Sequence, residues 1–121
     1  MMTVETCLTP LLIDKYSLAG KQVVVVDIFR ATSCMVSGIG SGINTIYPVD
    51  DIDKCLELGK KGYITAGERG GVKVDSFNIG NSPFEYMNPN FKGKSIAVTT
   101  TNGTHAPVSY THLTLPTTSR V

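Results

Sequence analysis

"KQVVVVDIF", residues 21–29, running into "ATSCMVSGIGSGI", residues 31–43, is the passage on which the fold turns. Four consecutive valines without polar alternation suit a strand buried on both faces, as in a parallel sheet. Ala31, Met35, Ile39 and Ile43 then recur every four residues and mark one apolar helical face. Gly38, Gly40 and Gly42 each cost about 1 kcal/mol in a helix interior, which ends this helix near Gly40. A buried strand feeding a helix is the opening of an α/β unit.

The alternation continues on both sides. "NTIYPV" (44–49) reads as a second short strand, and Asp50 offers an N-cap for "DIDKCLELGKK" (51–61), with acids early, lysines late and Gly62 as terminator. "YITAG" (63–67) is a third strand and "KSIAVTT" (94–100) a fourth. "SPFEYM" (82–87) is a short helix with Ser82 as cap and Pro83 at its first position. "VETCLTPLLI" (4–13) is read as an additional edge strand, and "TNGTHAP" (101–107) as the start of a helix carrying an exposed His105. The expected architecture is a layered α/β/α fold with a largely parallel sheet and right-handed crossovers, one continuous domain over residues 1–107. From Val108 onward, "VSYTHLTLPTTSRV" (108–121) has no strand or helix period and resembles translated adapter sequence, so it is set apart as a non-native tail.

Composition narrows the function classes. The chain has 121 residues, of which 41% are hydrophobic and 17% charged, as in a folded globular domain. A formal net charge of +1 supplies no basic field for nucleic acid or an anionic membrane, so any anion site is local. No apolar run approaches the roughly 20 residues of a membrane span, and the N-terminus lacks the pattern of a secretory signal, which points to the cytoplasm. Cys7, Cys34 and Cys55 match neither a disulfide framework nor a zinc pattern and read as reduced, buried small residues.

The chemistry-bearing residues gather at the ends of strands. Asp27 and Arg30 follow the valine run, Glu68 and Arg69 the third strand, and Thr99 to Asn102 the fourth. In an open parallel sheet these positions share one edge, which is where ligands bind. Arginine neutralises phosphoryl oxygens with paired planar donors. Carboxylates in the same place repel phosphate unless a hard cation such as magnesium lies between them. Asn81-Ser82-Pro83 and the tight Asn102-Gly103 backbone offer further amides to an anion. Each piece also has a plain reading: Asp27 as a helix cap, Glu68-Arg69 as a solvated pair, Asn81-Ser82-Pro83 as a helix start, "TTTNGT" as a strand end with a turn.

A strand ending in Asp before Ala-Thr resembles aspartyl-phosphate phosphatases of the haloacid dehalogenase type. Their second Asp, two positions on, is here Phe29, which cannot move a proton. "VVVDIFRATS" (24–33), "AGERGGVKVDSFNIGNSP" (66–83) and "TTTNGT" (99–104) together resemble 2-phosphosulfolactate phosphatase, the ComB family, in order and spacing from about Val23 to Thr104. The resemblance implies a magnesium-dependent phosphatase that converts 2-phospho-3-sulfolactate to sulfolactate and phosphate, a step toward coenzyme M in methanogens. Family members are roughly twice this length, so the likeness covers an N-terminal part. The matching positions are Asp27, Arg30, Thr32, Glu68, Arg69, Asn81, Ser82, Thr100, Thr101, Asn102, Gly103 and Thr104. On this reading Asp27 and Glu68 hold magnesium or position water, while Arg30 and Arg69 bind phosphate, sulfonate or carboxylate. The remaining residues bind the other oxygens. The competing readings are a non-catalytic anion- or nucleotide-binding module on the same fold, and an inactive fragment.

Overall fold

A computed structural model describes residues 1–104 and Val108. His105, His112 and the segment 109–121 set apart as a tail therefore lie outside the described residues. The elements are α1 (Ala31–Gly40), β1 (Thr45–Pro48), α2 (Ile52–Lys60), β2 (Ile64–Arg69), β3 (Val72–Lys73), α3 (Pro83–Tyr86) and β4 (Ser95–Thr99). The sheet runs β1-β4-β2-β3. β4 pairs in parallel with β1 and with β2, and only the short β3 is antiparallel.

β4 is the spine, and its alternation builds two cores. Ile96 and Val98 face one side and pack with Cys34, Ile43, Ala66, Ile79 and Tyr86, under α1 and α3. Ala97 faces the other and packs with Val49, Cys55 and Phe77, under α2. The result is the expected α/β/α layering with a largely parallel sheet.

Two expected strands do not form. The valine run is extended coil: Val24 and Val26 are 84% and 72% exposed, and Phe29 is 92% exposed. β-branched residues supply propensity, but a strand also needs a partner. Both sides of β4 are already taken by β1 and β2, and residues 21–29 pair with no strand. Residues 4–13 form no edge strand either. Pro10–Lys15 is a 3-10 helix, with the Thr9 hydroxyl accepting from the Leu11 amide.

Smaller shifts have local causes. α1 ends at Gly40 as expected, but its buried face is Ala31, Cys34 and Gly38, while Ile39 is 52% exposed. Gly38 is a packing position: a Cβ there would stand 2.8 Å from Ile43 Cδ1 and 3.1 Å from Tyr86 Cδ1. The cap of α2 is Asp51, whose carboxylate accepts from the Lys54 amide at 2.7 Å, while Asp50 pairs with the Lys54 ammonium. Gly62, at φ 96°, terminates α2. Cys34 and Cys55 are fully buried, and burial pushes both thiols up to about 11, so neither is a thiolate at neutral pH. Cys7, expected to be buried, is exposed. No helix among the described residues is long and apolar enough to cross a membrane.

Candidate functional site

β2 and β4 run side by side and end together, so their last residues and the loops beyond them meet at one rim. A cavity of about 260 Å³ lies there, lined by Asp27, Phe29, Arg30, Glu68, Gly70, Gly71, Asn81, Thr100, Thr101, Asn102 and Gly103. Although residues 21–29 are not a strand, they deliver Asp27 to this rim. Four segments distant in sequence thus converge on one edge, although the segment carrying Asp27 and Arg30 reaches it without being a strand.

Asp27 is held by its backbone. Its amide donates to Thr32 Oγ1 at 2.7 Å, and that hydroxyl donates back to the Asp27 carbonyl at 2.8 Å. The carboxylate itself accepts no hydrogen bond from the described residues. Thr32 is accordingly a brace for Asp27 and does not line the cavity. Arg30 occupies the N-cap position of α1, with its side chain exposed at the cavity mouth.

Glu68 is the opposite case. It is only 8% exposed, and its two oxygens are engaged by the Thr101 amide (2.7 Å), the Gly71 amide (2.7 Å) and the Thr101 hydroxyl (3.0 Å). The Thr101 hydroxyl in turn accepts from the Gly70 amide at 2.9 Å. Burial works to raise the Glu68 pKa, but the amides of Thr101 and Gly71, the Thr101 hydroxyl and the Arg69 charge outweigh it and hold the group below its ordinary value. A depressed folded-state pKa stabilises the native state above the ordinary value of 4.5, and that contribution is lost as pH falls through the lower folded value. Glu68→Gln should therefore be less stable than wild type at pH 7, and the gap should close on acidification below about pH 4.5. Urea denaturation from pH 7 to pH 3 checks this; parallel curves would contradict it.

Arg69 departs from the sequence reading. Glu68 and Arg69 are neighbours within β2, not in a loop after it, so their side chains leave on opposite faces. The guanidinium donates to Thr99 Oγ1 at 2.9 Å and to the Glu68 carbonyl at 2.8 Å, and it does not line the cavity. Ser82 sits at the N-cap position of α3 without a side-chain cap bond and also lies outside the lining. Thr104 is buried and closes the loop on itself, its hydroxyl accepting from the Thr100 amide and donating to the Thr100 carbonyl.

Two polar atoms of the lining have no partner although buried: Asn81 Oδ1 and Thr100 Oγ1. Buried polar atoms are nearly always hydrogen-bonded, so these two oxygens retain capacity for a further partner. Gly103 permits their convergence with Asp27. A Cβ at residue 103 would meet Ala31 Cβ at 2.3 Å, Asp27 Oδ2 at 2.7 Å and Thr100 Oγ1 at 3.0 Å. Phe29, Gly70 and Gly71 line the cavity without having been counted among the candidate site residues; the Gly-Gly pair after Glu68-Arg69 was the available signal.

Among the described residues no three His, Cys, Asp or Glu side chains form a metal-ligand cluster. The Asp27 carboxylate, which accepts no hydrogen bond from the described residues, is the kind of oxygen donor a hard cation such as magnesium takes, since that ion uses only one or two carboxylates. A larger groove of about 690 Å³ lies between α2 and residues 63–65 and 76–78. Within its wall Asn78 Oδ1 accepts from both the Thr65 amide and hydroxyl, and the groove gathers none of the strand-end residues of the rim.

Residues 7–113 match the family model described as 2-phosphosulpholactate phosphatase. The chain is 46% identical over 81 residues to a probable 2-phosphosulfolactate phosphatase of Thermotoga maritima, covering 67% of this chain and 36% of the relative. It is 40% identical over 97 residues to a probable 2-phosphosulfolactate phosphatase of Clostridium tetani, covering 78% and 42%. A third relative with that name, from Carboxydothermus hydrogenoformans, is 46% identical over 86 residues, covering 69% and 35%. The chain thus spans well under half the length of these curated relatives.

Proposed function

The chain belongs to the 2-phosphosulpholactate phosphatase family, and we propose that it carries part of the active site of a magnesium-dependent phosphatase. The substrate is 2-phospho-3-sulfolactate or a related phosphorylated 2-hydroxy acid, cleaved to the hydroxy acid and phosphate in the cytoplasm. The observation that supports this most strongly is the strand-end cavity, where an uncommitted carboxylate, an arginine and two unpartnered buried oxygens meet.

Each residue has a task that its surroundings favour. Arg30, exposed at the mouth, pairs with an outer oxygen of phosphate, sulfonate or carboxylate. The Asn102-Gly103 backbone comes close to the cavity because residue 103 has no Cβ, so an anion can approach its amides. Thr32 keeps Asp27 in register, and the Glu68–Thr101 bonds keep the two loops together. Asp27 and a phosphate about 4 Å apart repel by about 4 kcal/mol at an effective dielectric of about 20. Magnesium, when bound, would reverse that sign and polarise the phosphoryl oxygen.

The test is phosphate release from 2-phosphosulfolactate by the full-length protein, with magnesium and with excess chelator. Release with magnesium and its loss with chelator are expected. Substrate binding that is indifferent to chelator, without phosphate release, would favour the non-catalytic anion-binding module.

A further inference from the structure

We propose that the divalent cation is held by Asp27 together with the neutral side-chain oxygens of Thr100 and Asn81, and that Glu68 is a positioning residue and not a ligand. The assignment rests on the metal-dependent reading above and departs from the ligand pair Asp27 and Glu68 expected from the sequence.

Glu68 already has its coordination capacity directed elsewhere. Three protein donors at 2.7–3.0 Å hold its two oxygens, and two of those donors are main-chain amides that cannot turn away without moving their loops. Binding a cation through Glu68 would set the positive ends of those N–H groups against it. The carboxylate instead joins the Gly70–Gly71 turn to the Thr101 loop and so fixes two walls of the cavity.

Asp27, Thr100 and Asn81 are in the reverse condition. The Asp27 carboxylate has no donor among the described residues. Thr100 is 3% exposed with Oγ1 unpartnered, and Asn81 Oδ1 is likewise buried and unpartnered. Asp27 Oδ2 and Thr100 Oγ1 both lie within 3.0 Å of one point, the site a Cβ of residue 103 would occupy. All three residues line the same cavity. One carboxylate with neutral oxygens, leaving positions for water and phosphate oxygen, is the donor set magnesium takes.

Titration of the full-length protein with magnesium, followed by calorimetry, and with manganese, followed by the paramagnetic signal of the free ion, decides the assignment. Glu68→Gln, at a residue bonded to none of the three ligands, should bind metal within about tenfold of wild type, while Asp27→Asn should lose more than about a hundredfold. Asn81→Asp replaces a neutral ligand with a charged one and should tighten binding by about tenfold. Without metal, Glu68→Gln should shift the amide-proton resonances of Gly71 and Thr101, the mark of a positioning role. Loss of metal on Glu68→Gln comparable to that of Asp27→Asn would overturn the proposal. Should Glu68→Gln fail to fold, weaker binding by Asn81→Asp would overturn it alone. A wild type that binds neither ion overturns this assignment and the metal-dependent reading together. Metal binding in the expected pattern without phosphate release upholds the assignment and overturns only the catalytic reading.

Discussion

Asp27→Asn should abolish phosphate release while leaving the fold intact. The substitution preserves shape and removes one charge from a group that accepts no hydrogen bond from the described residues, so no buried donor is left without a partner. The bonds that do hold residue 27 run from its backbone to Thr32 and survive the change. Turnover is another matter. Residues that merely orient a metal ligand cost 10- to 100-fold when altered, so loss of the one uncommitted carboxylate should exceed about a hundredfold. Steady-state rates beside thermal melting check both halves. A melting temperature lowered in step with activity would contradict the assignment, because it would make Asp27 a structural residue.

The second large effect is structural, at a glycine next to the site. Gly67 has φ 147°, and a Cβ there would fall 1.9 Å from the Thr99 carbonyl oxygen on the neighbouring strand. Gly67 is paired with Thr99 in the β2–β4 register, so the clash cannot be relieved by a side-chain rotation. Gly67→Ala has to separate the strands where Glu68 and Thr101 join them, and should cost about 3 kcal/mol or more. Gly40→Ala is the control: it lies at the end of α1, has open space around a Cβ and should change stability by less than about 1 kcal/mol. Chemical denaturation of the two variants should give these contrasting results. Equal, small effects would show that β2 and β4 are not packed this closely.

What could be read from the sequence follows a physical division. α1 to Gly40, the stop after α2 at Gly62, the parallel pairing around "SIAVT" and the convergence of Asp27, Glu68 and Asn102 depend on local pattern and on a general rule of parallel sheets. The failures depend on partners. Val24 and Val26 have strand propensity in isolation, but β4 has no free side for them. The donors that hold the Glu68 oxygens are equally invisible to local pattern, two of them coming from Thr101, 33 residues away. Arg69 follows the same course, since whether β2 ends before or after it decides which face it leaves from. Asp50 and Asp51 are equivalent caps by type, and only the backbone of residue 51 sets one oxygen against the Lys54 amide.

The proposed seat of the phosphate is the strand-end rim. A crystal structure of the full-length protein with phosphate or vanadate bound tests it most directly. The anion should lie within hydrogen-bond reach of Arg30 and the Asn102-Gly103 backbone, with Asp27 close by. An anion seated in the groove along α2, beside Lys60 and Asn78, with the strand-end cavity empty, would contradict it.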